Sequence, residues 1–260
     1  MGWFDKLKLK VRVRKVGKIS PAHLNHFTLK GEARKDERFN KARWTGISIS
    51  TSQLERCIFD DVHSESVNLG GGLTQSTYTA CLFQDCDLVF GAIGNARFTR
   101  CRFRRCRLSH FFGTQLEMID CTFPETSIRQ AVFHSASSTA QKGSPVRERN
   151  GFIGNDLSSA DLVDVDFRGG IDLTKQILPS GPDYIYIADT GLAASIAGEW
   201  AAEFAPTSPD TKRAKSLQRM LEFYHSHGQK QQLLRLSGHN QLKEQLRSRF
   251  LPVHSAAPLL

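Results

Sequence analysis

A large apolar residue recurs every five positions through the middle of this 260-residue chain, and that period constrains the fold more than any other feature. From Phe39 the series runs Phe39, Trp44, Ile49, Leu54, Phe59, Ser64, Leu69. After a one-residue deletion it resumes as Leu73, Tyr78, Phe83, Leu88, Ile93, Phe98, Phe103, Leu108, Gly113, Met118, Phe123, Ile128, Phe133. Only Ser64 and Gly113 depart from the large apolar type. Two residues before these positions lie smaller ones, among them Ala42, Ser52, Val62, Val67, Ser76, Ala96, Thr126 and Ala131. All six cysteines, Cys57, Cys81, Cys86, Cys101, Cys106 and Cys121, fall in that same phase. Random phases would give such agreement roughly once in three thousand trials.

In an extended backbone the side chain two residues earlier points to the same face. Large residue and small companion therefore both face inward, their neighbours face out, and the next two residues turn a corner. A small residue two before Leu or Phe resembles the signature of the pentapeptide-repeat family, and the stretch Asn155-Asp156-Leu157-Ser158-Ser159-Ala160-Asp161-Leu162 is close to its consensus. The resemblance implies a bacterial protein that is mainly β, a right-handed quadrilateral β-helix with four sides per coil. Equivalent residues then match at spacing 20, as Phe83, Phe103 and Phe123 do, with Cys81, Cys101 and Cys121, and with Leu88, Leu108 and Ile128. Coils of this kind stack about 4.8 Å apart, the strand spacing of a sheet.

The cysteine phase argues against both a disulfide framework and a metal site. Each thiol occupies a place where a small hydrophobe belongs, and Cys81-x4-Cys86 and Cys101-x4-Cys106 lack the spacing of common zinc knuckles. No metal and no cofactor is expected.

The period divides the chain into residues 1–38, a basic N-terminal arm and cap; residues 39–178, the β-helix with a loop insertion at 134–151; and residues 179–260, a helical region. Lys6, Lys8, Lys10, Arg12 and Arg14 alternate with Leu7, Leu9, Val11 and Val13, a half-buried strand pattern. It reads as a cap strand over the first coil or as an anion-binding arm. At Asn68-Leu69-Gly70-Gly71-Gly72-Leu73 the deletion coincides with three glycines that correct the backbone path. The repeat resumes at Phe152, Leu157, Leu162 and Phe167, and Pro179 and Pro182 mark its exit. Three helices are expected beyond: one capped by Asp189 and reaching Phe204, one opened by Ser208-Pro209, and one carrying Leu242, Leu246 and Phe250. They are expected to cap the last coil, and the family resemblance makes them candidates for a homodimer contact.

The net charge of +9 is unevenly spread. Residues 1–38 hold 11 Lys/Arg against 4 Asp/Glu, residues 39–178 hold 15 against 15, and residues 179–260 hold 9 against 7. Within the neutral body, Arg97, Arg100, Arg102, Arg104, Arg105 and Arg107 occupy outward phases and wrap several faces, with Asp85, Asp87, Glu117 and Asp120 about one coil away. Together with Lys142, Arg147 and Arg149 of the insertion, these arginines are the candidate partner-binding residues.

No complete phosphate loop, dinucleotide fingerprint, HExxH or nucleophile elbow is present, and His225-Ser226-His227 reads as a helix end. No apolar run approaches the roughly 20 residues that span a bilayer, and a cytoplasmic location is expected. The sequence thus points to a non-enzymatic interaction scaffold with a macromolecular partner, most simply a protein. The family includes DNA mimics that protect DNA gyrase, an alternative that calls for an acidic rod rather than a neutral one. Nucleic-acid binding through the basic arm and the Arg97–Arg107 segment is a further alternative.

Overall fold

The computed structural model describes residues 26–135, 148–236 and 240–250, with the backbone alone at Ala92 and 240–243. The chain is mainly β, a solenoid of about five turns built from parallel strands, followed by a helical region. The inward columns form because like side chains meet at the strand spacing. On one side Leu54, Tyr78, Phe98, Met118 and Phe152 are in register. On the next, Phe39, Phe59, Phe83, Phe103 and Phe123 stack ring on ring, with centroids 4.7, 4.7, 4.7 and 5.1 Å apart. Burying such columns from water is the principal favourable contribution to the fold.

The companion positions carry hydrogen bonds as well as volume. The thiols after Cys57 lie against a carbonyl of the preceding coil, as Cys81 to Leu54 at 3.5 Å, Cys101 to Tyr78 at 3.3 Å and Cys106 to Phe83 at 3.4 Å. Thr126 continues the last of these columns, donating to the Phe103 carbonyl at 2.8 Å. All six cysteines are free and buried, and burial pushes the Cys101 thiol well above its ordinary range. Gly113, an exception to the large apolar series, is explained by a size exchange. Phe111 fills the core from the companion position, and a Cβ on Gly113 would lie 2.9 Å from Leu116.

Corners are made by left-handed residues. Asp36, Arg56, Ala80, Arg100 and Asp120 form one column with φ of 52–56°, and Lys41, Asp61, Asp85, Arg105 and Glu125 form a second with φ of 51–55°. Stacked corners bring their side chains within reach of one another, so Arg56 pairs with Asp36 and Arg105 with Asp85, each at 2.7 Å.

Three features differ from the sequence expectation. First, parallel coils are already present at His26, the first described residue, where Phe27 and Leu29 register with Ile47 and Ile49, so residues 26–38 belong to the solenoid instead of to an arm and cap. Arg34 conceals this coil in the sequence. It sits opposite Leu54 in a column otherwise large and apolar, neutralised by Glu32 and Glu37.

Second, the glycine-rich break is an insertion, not a deletion. Ser52 meets Ser76 and Asp60 meets Gln84 at a separation of 24 rather than 20, so four residues are added, and Leu73 is 47% exposed instead of inward. The glycines permit a close approach of adjacent coils. Gly70 accepts from Asn95 N at 2.7 Å, and a Cβ on Gly94 would lie 2.2 Å from the Gly70 oxygen.

Third, the last coil is covered first by a two-stranded antiparallel sheet and only then by helices. Strands Tyr184–Ile187 and Gln232–Arg235 pair antiparallel; Tyr186 and Leu233 face the solenoid core, whereas Ile185, Ile187 and Leu234 face the helices. The backbone edge of the last coil is closed by glutamines. Gln229 accepts from Gly170 N and Ile171 N, both at 3.0 Å, and Gln231 accepts from Leu173 N at 2.7 Å. Behind this two-stranded sheet lie α1 (Thr190–Ala202), capped by Asp189, and α2 (Pro209–Ser226), capped by Ser208, as the cap residues in the sequence specify. α3 (Asn240–Phe250) completes this layer, with Leu246 and Phe250 in its apolar contacts.

Candidate functional site

Both interruptions of the repeat leave the solenoid at the same corner. The four added residues lie between Leu69 and Ser76; the longer insertion lies between Phe133 and Phe152, where Cys121 meets Asn155 at a separation of 34, an addition of fourteen. In each case the chain passes from the side holding Leu69 and Phe133 to the side holding Tyr78 and Phe152. The two coils between them cross this corner tightly at Gly94-Asn95 and Thr114-Gln115.

Glu117 joins the two departures. Its Oε2 accepts from Gln75 Nε2 of the first insertion and from Arg97 Nε, each at 2.8 Å. Its Oε1 accepts from the Gly151 N–H at 3.0 Å, where the second insertion returns. Although Glu117 occupies an outward phase it is 3% exposed, because these segments cover it. Asn95 fixes the first insertion by donating to the Leu73 carbonyl at 3.0 Å. Asn150 fixes the base of the second, its Nδ2 donating to the Thr114 and His134 carbonyls at 2.9 and 2.8 Å. The Oδ1 of Asn150 is buried with no hydrogen-bond partner among the described residues.

The arginine belt does not converge on one patch. Arg97 lies in Ala96–Thr99, Arg102 and Arg104 in Arg102–Arg104, and Arg107 in Arg107–Gly113, on three successive sides, with Arg100 and Arg105 at the corners between them. Half of the belt is neutralised: Arg97 by Glu117, Arg105 by Asp85, and Arg107 by Asp87 at 2.5 Å. Arg105 holds the Asp85 carboxyl below the usual range through its hydrogen bonds. Arg100, Arg102 and Arg104 make no ion pair among the described residues. Arg149 is exposed, its guanidinium reaching towards Gly170. Lys142 and Arg147, and Lys6, Lys8, Lys10, Arg12 and Arg14, lie outside the described residues.

His225 and His227 occupy the end of α2. His227 Nδ1 is 2.8 Å from the Phe223 carbonyl, and the His225 ring packs against Gly191 of α1. Sequence reasoning weighed Glu117 only as a neighbour of the arginines and passed over Gln75 and Asn150. The one signal for Asn150 was an amide in the small companion position before Phe152. No helix among the described residues is long and apolar enough to cross a membrane. No protein-family model matches the chain, and no curated protein matches it.

Proposed function

We propose that the chain is a non-enzymatic bacterial pentapeptide-repeat scaffold of the cytoplasm that binds a protein partner at the corner bearing both insertions. The observation that carries this reading is the convergence of the two departures on Glu117, in a rod whose remaining coils repeat with little variation. Irregular segments on a rigid solenoid are where recognition is concentrated, since regular coils supply only a frame. The test is copurification from host lysate with the wild type, a variant shortened within 134–151 and a variant lacking the four added residues after Leu69. Loss of one partner in both variants supports the reading; a partner set that neither variant changes refutes it.

A second reading draws on Arg100, Arg102 and Arg104, which are available to an anionic partner such as nucleic acid. Filter binding across a salt series tests it, because contacts to phosphates weaken steeply with salt. The neutral charge balance of residues 39–178 speaks against a gyrase-binding DNA mimic.

A further inference from the structure

A cavity of about 1100 Å³ lies where the last full coil, the two-stranded sheet and the helices meet. Residues 162–167 form one wall and the two-stranded sheet a second, while Trp200, Leu217, Met220 and Leu246 supply an apolar helical side. The volume is just above the roughly 300–1,000 Å³ of pockets that enclose small ligands.

The charges in the wall are of unequal number and availability. Asp164, Asp166, Asp183 and Asp210 stand against Arg213 and Arg235. Neither arginine is left for an anion, because Arg213 pairs with Asp210 at 3.0 Å and Arg235 with Asp161 at 2.8 Å. Asp166 accepts from the Tyr224 hydroxyl at 2.5 Å and pairs with Arg168, contacts that hold its carboxylate in place. Asp164, on a left-handed corner at φ 54°, has no ion-pair partner among the described residues.

We propose that this cavity binds a small amphipathic cation, with its apolar body against Leu217 and Met220 and its positive end towards Asp164 and Asp166. The apolar lining supplies the affinity and the Asp164 carboxylate, which has no ion pair among the described residues, sets the sign of the charge, since the two arginines of the lining are already paired. This site is independent of the partner-binding corner.

The test uses the full chain and two probes of equal chain length, decyltrimethylammonium and decanoate, each below its micelle concentration. Equilibrium dialysis should give saturable one-to-one binding of the cation and at least about tenfold weaker binding of the anion, with the preference shrinking in salt. Leu217→Trp fills the cavity and should abolish binding. Asp164→Asn, which retains a residue suited to a left-handed corner, should keep the fold and reduce the preference for the cation. The proposal is overturned by an absence of saturable binding, by decanoate binding as tightly, or by an unchanged preference in Asp164→Asn. Tight binding that arises only after deletion of residues 251–260 would assign the cavity to the chain's own C-terminal segment, and would overturn it equally.

Discussion

Replacing Glu117 should reveal how firmly the two insertions are tied together. The carboxylate is 4% exposed on its side chain whereas its partner Arg97 is 42% exposed, so the two halves of the pair respond differently. In Glu117→Ala the arginine returns to water at little penalty. The loss then includes the hydrogen bonds that this charged acceptor takes from Arg97, Gln75 and Gly151. With solvent replacing part of the exposed contact, the expected destabilisation is about 2–3 kcal/mol, below that of a fully buried pair. Arg97→Ala leaves a covered carboxylate without that cation, the costlier half of the pair to orphan, and should cost about 3 kcal/mol. The double variant should lose less than the sum by about 1 kcal/mol, the coupling expected of neighbours in one network. Urea unfolding by circular dichroism measures all four corners of the cycle, and Arg107→Ala, at an exposed pair on a strand, is the control that should show little loss. A loss under about 0.5 kcal/mol in Glu117→Ala, or strict additivity with Arg97→Ala, would refute the clamp.

Other consequences can be checked singly. Gln229→Ala strips three groups of the last coil of their partner at a position 0% exposed, and should lower stability by about 2–4 kcal/mol in the same assay; a loss below that of a surface substitution counts against the cap. Gly94→Ala combines a φ of +66° with overlap on the Gly70 oxygen and should cost more than about 2 kcal/mol, whereas Gly31→Ala, at φ +67° with open space around it, should cost only about 1 kcal/mol. Asp36, Asp85 and Glu203 have folded pKa values lowered by hydrogen bonds from Arg56, Arg105 and Arg249. Their contribution is therefore complete above the unfolded values of about 3.9–4.3 and disappears as pH falls through the lower folded values, so thermal stability should decline below about pH 4. A melting temperature that rises on acidification contradicts this. Finally, the six buried thiols should be inert to Ellman's reagent in the native chain and react fully in denaturant; rapid native reaction would contradict the core assignment.

Much of the solenoid was legible because inward positions repeat their residue types, and because all six cysteines mark the phase of the small companion column. What escaped has identifiable causes. A deletion of one and an insertion of four leave the same phase in a period of five, so only the 20-residue columns distinguish them, and the step from Leu54 to Tyr78 carries that information. The coil at His26 was concealed by Arg34, a charged residue in a large apolar column, held there by two glutamates that the period itself does not predict. The Tyr184–Ile187 strand was an alternating segment overlooked behind the prolines that end the repeat. The joining role of Glu117 was invisible for a different reason: its partners lie 42, 20 and 34 residues away, and two of those separations are set by the insertions themselves.

The glutamines at the last coil also bear on how such rods assemble. A bare terminal strand would recruit any extended segment, including the first coil of a second molecule. Gln229, Gln231 and Gln232 instead occupy its backbone positions with side chains, which offer no onward ladder. A head-to-tail filament consumes one end of each kind at every joint, and here one kind is sealed. Any coil-on-coil association is thereby blocked at the end that these glutamines close, and with it the open head-to-tail filament.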